Sequence, residues 1–221
     1  MLVQGQTEAL QRLFIKSSRY TILLAVPVLA TFTTFAHPLM HHWMGRALGP
    51  EDTAAAAYIL AGWATIEFAV TLEGSSTAIM FGMKKLRFVV WANLIATILG
   101  IVGSIWLISS TDLGLRALVV VPACIELVVR PTYIWYTSKQ IGLPFLPTLR
   151  QIMGRPMAVL AGLFVLNVGL YYLLPTFELW GMMIALVIDG IAFIGLAWAF
   201  GITEDERQMV MRKVKSRKHG G

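Results

Sequence analysis

Long apolar stretches alternate along this chain with short polar connections. Six stretches are apolar throughout most of their length, and each is near or above the ~20 residues that a helix needs to cross ~30 Å of hydrocarbon. They are residues 20–43, 54–81, 88–109, 115–136, 157–174 and 179–201. Lipid offers backbone amides no external partner, and a barrel strand would show ~10-residue alternating segments. The pattern therefore predicts an all-α polytopic membrane protein with six transmembrane helices.

Composition agrees with this class. Of 221 residues, 57% are apolar and only 14% are charged, and the mean hydropathy is +0.71. A soluble domain has about 25% charged residues. We expect three regions: an amphipathic cytoplasmic helix over residues 1–19, a six-helix lobe over 20–201 and a basic cytoplasmic tail over 202–221. The sequence has one cysteine, Cys124, which excludes an intrachain disulfide.

The basic residues of the connections fall almost entirely on one side. Fifteen Lys and Arg residues lie in the connections on the side of the termini, against only Arg46 and Arg116 on the opposite side. The positive-inside rule then predicts both termini in the cytoplasm of a multi-pass protein of the inner (plasma) membrane. The formal charge of +6 also indicates attraction to anionic membrane lipid. No basic surface is interleaved with aromatic residues, so a nucleic-acid partner is not expected.

Several polar residues interrupt the apolar stretches. An ionisable group at mid-span costs ~2.5–3.5 kcal/mol on insertion scales, so it normally faces a cavity or a partner. The candidates for a substrate or ion pathway are Glu67, Glu73, Glu126, Arg130, Asn167 and Asp189. Glu126 and Arg130 are spaced i, i+4 with the acid first, which favours an ion pair on one helix face. That pair has two interpretations: a neutralised structural pair, or a gated pair beside a transport path.

Prolines and histidines give weaker signals. Pro27, Pro122 and Pro131 lie inside the predicted helices, either as packing bends or as hinges for alternating access. Three histidines close the first stretch, at His37, His41 and His42. Their spacing could hold Zn²⁺, but without a paired carboxylate they are more typical of an interfacial belt, so no metal is expected. No cofactor-binding motif is found.

The order of landmarks resembles the C-terminal lobe of polysaccharide or O-antigen flippases, in the multidrug/oligosaccharidyl-lipid/polysaccharide exporter superfamily. The segments concerned are LFIKSSRY at residues 13–20 before a span with Pro27, FAHPL at 35–39, YILAG at 58–62 and FGMKK at 81–85, followed by Glu126 in the fourth span. Each segment is loose by itself. The resemblance rests on their order and spacing over nearly the whole chain.

The resemblance implies a transporter rather than an enzyme. It implies that the chain is one lobe of a two-lobed protein that moves a polyprenyl-diphosphate-linked oligosaccharide to the outer leaflet for surface polysaccharide biosynthesis. Its partner would be a second six-helix lobe or a second copy. Either that partner supplies cations for the diphosphate, or the carboxylates of this chain bind H⁺ or Na⁺ for coupling. The alternatives are a non-transporting remnant or assembly subunit, favoured by the half length, and a membrane-embedded lipid-modifying enzyme using His37, His41 and His42.

Overall fold

The computed structural model describes the backbone of residues 4–111, 113–203 and 206–208, and the side chains from residue 7 onward within those ranges. The described helices are α1 Gln4–Thr34, α2 Ala36–Met44, α3 Pro50–Thr71, α4 Gly74–Gly82, α5 Leu86–Ser110, α6 Ala117–Gln140, α7 Phe145–Leu173 and α8 Leu179–Leu196. A 3₁₀ turn at Gly114–Arg116 precedes α6, and a π-helical turn at Ala197–Gly201 follows α8. Within these ranges, six helical segments are long and apolar enough to cross a membrane, which confirms the predicted six-span all-α class.

The first span is interrupted at Phe35, between α1 and α2. Proline lacks a backbone N–H, and its ring clashes with the carbonyl four residues earlier. For Pro38 that residue is Thr34, where α1 ends. The three predicted hinge prolines, Pro27, Pro122 and Pro131, instead lie inside continuous helices. The interruption in span one therefore comes from a proline outside the predicted hinge set.

The second span is interrupted between α3 and α4. The N–H groups of Leu72 and Glu73 donate to Ala69 and Val70 at 3.0 and 3.1 Å, which are i to i−3 hydrogen bonds of the 3₁₀ type. The Thr71 hydroxyl also donates to the Phe68 carbonyl at 2.6 Å. Glu73 therefore stands at the joint between two helices, immediately before α4 begins at Gly74.

Helix α1 lies at the centre of the bundle and contacts α3, α4, α7 and α8. The largest apolar core forms around it and includes Phe14, Ile22, Val26, Phe68, Ile134, Ile152 and Leu163, all nearly or fully buried. A smaller core forms where Phe35, between α1 and α2, packs with Leu170 of α7 and Ala185 of α8. Helix α5 packs mainly on α6 and presents an exposed apolar face, as expected of a helix that faces lipid.

The N-terminal segment is continuous with the first span. The sequence predicts an amphipathic cytoplasmic helix over residues 1–19, whereas α1 runs from Gln4 to Thr34 without a break. Phe14 is fully buried in the main core, while Leu13 beside it is 62% exposed. A helix of 31 residues is about 46 Å long at ~1.5 Å per residue. One end of α1 therefore projects beyond the hydrocarbon, with its apolar stripe packed on α7.

Helices α3 and α6 approach each other closely at Gly62. A Cβ atom at this position would lie 2.0 Å from the Cγ1 atom of Val119 on α6. Only a residue without a side chain allows this separation. The contact brings α3 against the first turn of α6, and the middle of α6 carries the charged residues described next.

Candidate functional site

Arg130 of α6 is the centre of a charged cluster inside the bundle. Its Nε donates to the Oε2 of Glu126 on the same helix, and its Nη1 donates to the Oε2 of Glu73 at the α3–α4 joint. Nη1 also donates to the Oδ1 of Asn93 on α5, at 3.1 Å. The predicted pair of Glu126 and Arg130 is thus present, with a second carboxylate added. We call these four residues the arginine cluster.

The surroundings of Arg130 hold its side chain in one place. The residue is 7% exposed, and its guanidinium carbon lies 5.5 Å from the ring centroid of Tyr133. Tyr133 is itself fully buried, and its hydroxyl donates to the Val89 carbonyl at 3.3 Å. Phe88 packs edge-to-face on the same ring at 5.3 Å. An arginine so fixed is a rigid cation at a defined depth in the helix bundle.

The arginine cluster carries one more negative than positive charge when all its groups are ionised. Arg130 pairs with two carboxylates, Glu73 and Glu126, whose side chains are 17% and 18% exposed. Counting helix rise from Lys139 and Arg116, Arg130 and Glu126 are about 14 and 15 Å from the polar ends of α6. An excess charge at that depth is costly, and such residues in membrane spans mark substrate or ion paths.

A groove opens beside the arginine cluster, between α3, α5 and α6. Its volume is about 420 Å³, and Glu126 forms part of its wall together with Trp63, Ser104 and Pro122. A second groove of about 290 Å³ lies between α1, α3 and α6 and is lined by Tyr58, Thr65 and Cys124, among others. The two grooves lie on opposite sides of the contact between α3 and α6.

Glu67 does not join the arginine cluster. It is exposed near the end of α3, in the middle of the second span, and no ion pair or hydrogen bond connects its carboxylate to another described residue. Six positions separate it from Glu73, which places the two on different helix faces, as the sequence indicated. A carboxylate exposed at mid-span needs water or a polar partner outside this chain.

Asp189 and Asn167 lie elsewhere, in the contact between α1, α7 and α8. Asp189 is 4% exposed, and its Oδ2 accepts a hydrogen bond from the Thr31 hydroxyl at 2.8 Å. Asn167 is fully buried, and neither polar atom of its amide has a partner among the described residues. The predicted pathway residues therefore divide into the arginine cluster, this polar layer and the isolated Glu67.

The histidines at the end of the first span contact aromatic rings. His37 and His41 of α2 pack edge-to-face on Phe177, with ring centroids 5.3 and 5.7 Å apart. Within the described ranges, no group of three His, Cys, Asp or Glu side chains is placed to hold a metal ion. The arrangement resembles an aromatic belt at a membrane surface.

An ion-paired contact ties the end of the sixth span to α1, outside the membrane. Glu206 accepts hydrogen bonds from Arg19 at 2.6 and 2.8 Å, and it lies 3.3 Å from the Lys16 ammonium. Burial alone raises the pKa of Glu206, but hydrogen bonds from Thr203 and the charges of Arg19 and Lys16 outweigh it and lower the pKa to about 2. The rest of the predicted basic tail, residues 204–205 and 209–221, lies outside the described residues.

Sequence reasoning missed Asn93 and Thr31 as partners of the charged residues. Asn93 is the only strongly polar side chain within the apolar run of α5, which was a usable signal. The sequence gives no signal for Thr31, because threonine hydroxyls in apolar helices commonly donate to a carbonyl in the preceding turn of their own helix. Thr33, two positions later, donates to the Leu29 carbonyl in that way.

The six apolar helical segments define the chain as an all-α, multi-pass membrane protein. No family model matches the sequence, and no match is found among the curated proteins or the solved structures. Any narrower function therefore has to be argued from the arrangement of residues described above.

Proposed function

We propose that the chain is one six-helix lobe of a transporter that moves polyprenyl-diphosphate-linked oligosaccharide across the inner membrane, with both termini in the cytoplasm. The observation that carries this proposal is the arginine cluster. A buried Arg130 with two carboxylates lies near mid-span, where ionisable groups are expensive and typical of transport paths. The order of sequence segments that resembles polysaccharide flippases supplies the substrate class.

The exposed positions support a partner surface. Glu67 lies exposed in the middle of a membrane-spanning helix, and lipid cannot solvate a carboxylate. A second six-helix lobe or a second copy of this chain, enclosing water against α3, would do so. Repeats of this kind bind substrate at their interface near the midplane.

The anionic diphosphate of the substrate needs cationic side chains to bind it. Arg130 is already engaged by Glu73 and Glu126, so this lobe offers the diphosphate no spare mid-span cation among its described residues. We therefore assign the diphosphate-binding cations to the partner. The carboxylates of this chain then serve coupling by H⁺ or Na⁺, and no other cofactor is invoked.

The alternative of a lipid-modifying enzyme has less support. Its candidate groups, His37 and His41, pack against Phe177, and the charged residues lie deep in the span instead. An assembly subunit without transport activity is less favoured, because charged groups at that depth are typical of substrate or ion paths. Transport is therefore the function that this arrangement favours.

The test is a flipping assay in liposomes. The chain is purified in mild detergent as a dimer or with a six-helix partner and reconstituted with a fluorescent polyprenyl-diphosphate disaccharide. A membrane-impermeant reductant then reports how much lipid has reached the outer leaflet. We expect flipping by the complex and its loss in the Glu73→Gln, Glu126→Gln, Arg130→Gln triple variant.

Three outcomes would contradict parts of this proposal. Absence of flipping by both the dimer and the complex rejects the transporter. Full flipping by the triple variant reduces the arginine cluster to a structural role. Robust flipping by a monomer, verified by cross-linking, removes the need for a partner.

A further inference from the structure

Two arginines flank a cavity between the fifth and sixth spans, on the side predicted to be cytoplasmic. The cavity has a volume of about 360 Å³ and lies between the first half of α7 and the π-helical turn that follows α8. Arg155 and Arg207 are its charged residues, and Ala158, Ala199 and Phe200 form much of its apolar wall. No carboxylate is found among the described residues that line it. The cavity therefore combines positive charge with an apolar surface.

Each guanidinium uses only part of its hydrogen-bonding capacity. Nη1 of Arg155 donates to the Ile202 carbonyl at 2.7 Å, and Nη2 of Arg207 donates to the Ala199 carbonyl. A guanidinium has five N–H donors, and neither arginine forms an ion pair with a described carboxylate. The Nε of Arg207 is buried and has no partner among the described residues. Charged donors left free beside a cavity indicate an anionic ligand.

The contacts of Glu206 hold Arg207 next to this cavity. Glu206 accepts hydrogen bonds from Arg19 of α1 and, at 2.9 Å, from the N–H of Thr203. These bonds fix the end of the sixth span against α1 and engage the carboxylate that precedes Arg207 in the sequence. Both guanidiniums are therefore in position before any ligand binds.

The cavity lies at the depth of the lipid headgroups. At about 1.5 Å per residue, Arg155 is about 27 Å from Leu173, at the far end of α7. Ala199 is about 30 Å from Leu179, where α8 begins. Both distances match the ~30 Å thickness of the hydrocarbon core, and the partly exposed Trp198 is typical of a membrane interface. A phospholipid beside the bundle therefore has its phosphate at the level of the two arginines.

The chemistry of the cavity selects an anionic phospholipid. Planar guanidiniums bind phosphate oxygens through paired N–H bonds, and basic pockets between spans on the cytoplasmic side bind acidic headgroups. A zwitterionic lipid would bring an ammonium group, for which the described lining offers no carboxylate. We propose that Arg155 and Arg207 bind the phosphate of an anionic phospholipid, with Ala158 and Phe200 against the apolar part of the same lipid.

This site is independent of the proposed transport, because it binds a lipid of the surrounding bilayer. The alternative is that both arginines only cap the carbonyls at the end of the sixth span, which a helix leaves without intrahelical partners. A cap of that kind does not distinguish one lipid from another. Selectivity among lipids therefore separates the two roles.

The experiment measures the thermal unfolding midpoint of the full chain in detergent with added dioctanoyl phosphatidylglycerol. Dioctanoyl phosphatidylcholine and inorganic phosphate are added in parallel at the same ionic strength. A ligand present at about ten times its dissociation constant should raise the midpoint of a chain of this size by about 3–6 °C. We expect that rise with phosphatidylglycerol alone, because phosphatidylcholine carries an ammonium group and inorganic phosphate has no apolar part.

Arginine variants locate the effect. Arg155→Gln and Arg207→Gln should each lose most of the rise, compared with their own lipid-free midpoints. Arg150→Gln is the matched control, because it removes an exposed arginine of the same helix that does not line the cavity. It should keep the full rise.

Ala158→Leu keeps the test decisive if loss of an arginine prevents folding. Ala158 is exposed, so a larger side chain there fills the cavity without entering the core. Its lipid-free midpoint should be unchanged, and its rise with phosphatidylglycerol should be lost. No rise in the wild-type chain, an equal rise with phosphatidylcholine or inorganic phosphate, or a full rise in Ala158→Leu would overturn the site.

Discussion

At the scale of single residues, Arg130 determines how the charges of the bundle are tolerated. It connects Glu126 of its own helix, Glu73 at the α3–α4 joint and Asn93 of α5. Removing one member of a buried ion pair leaves an uncompensated charge, which typically costs about 3–5 kcal/mol, whereas replacing the whole set by neutral groups is often tolerated. The three charges should therefore behave as a unit.

Arg130→Gln alone should destabilise the protein more than the triple change of Glu73, Glu126 and Arg130 to glutamine. The single variant leaves two carboxylates facing each other inside the membrane, while the triple variant leaves none. The measurement is the thermal midpoint in detergent of each variant and of the intermediate doubles. Losses that simply add across these variants would show that the three side chains do not interact.

Glu206 gives a pH-dependent prediction. Its pKa is lowered from 4.5 to about 2 by its partners, so its contribution to stability is fully present above 4.5 and is lost as the pH falls toward 2. Wild type should exceed Glu206→Gln in thermal midpoint at neutral pH, and the difference should vanish across that window. Glu8→Gln, which alters an exposed residue of α1, is the control. A difference between wild type and Glu206→Gln that is independent of pH would contradict the ion pair with Arg19.

Part of this residue-level picture could be read from the sequence. The pair of Glu126 and Arg130 follows from spacing on one helix. The role of Glu73 could not be predicted, because it depends on how α3 and α6 lie against each other and on where the second span is interrupted. Asn167 and Asp189 were recognised as deep polar residues, but their common level with Thr31 arises only when three helices pack together.

At the scale of helices, Gly62 controls how closely α3 and α6 pack. Gly62→Ala places a Cβ atom in conflict with the side chain of Val119, so we expect a lower thermal midpoint, with a cost of about 1–3 kcal/mol typical of overpacking. Gly100→Ala is the matched control, because a Cβ at Gly100 meets no atom within 4 Å. Helix propensity alone favours alanine there by up to about 1 kcal/mol.

Thermal unfolding of both glycine variants checks the contact. An equal or higher midpoint for Gly62→Ala would show that α3 and α6 can separate without cost.

Hydropathy predicted the existence of the helices better than their ends. Helix α7 begins at Phe145 rather than near residue 157, because Arg150 and Arg155 lower the hydropathy but do not stop a helix beyond the lipid. The break before α2 had a sequence signal in Pro38. The break before α4 had none as strong, since Leu72 and Glu73 are ordinary helix residues and the 3₁₀ bonds there are a property of the packed bundle.

At the scale of the whole molecule, the distribution of basic residues predicts orientation. In a Cys124→Ser background, cysteines are placed at four exposed positions, Glu8, Ser110, Arg150 and Glu178. A membrane-impermeant maleimide added to sealed cells should label the cysteines at 110 and 178 only, because the positive-inside rule puts the other two in the cytoplasm. Labelling at position 8 or 150 from outside would reverse or abolish the predicted topology.

The 3₁₀ hydrogen bonds at Leu72 and Glu73 set both the length of the second span and the rotation of α4 about its axis. A 3₁₀ residue rises about 2.0 Å and turns about 120°, against about 1.5 Å and 100° in an α-helix. If these two residues had α-helical geometry instead, the span would be about 1 Å shorter, and α4 would be rotated by about 40° relative to α3. The ion pair between Glu73 and Arg130 connects this joint of the second span to α6. The rotation of α4 relative to α3 is therefore tied, through Glu73, to the position of α6.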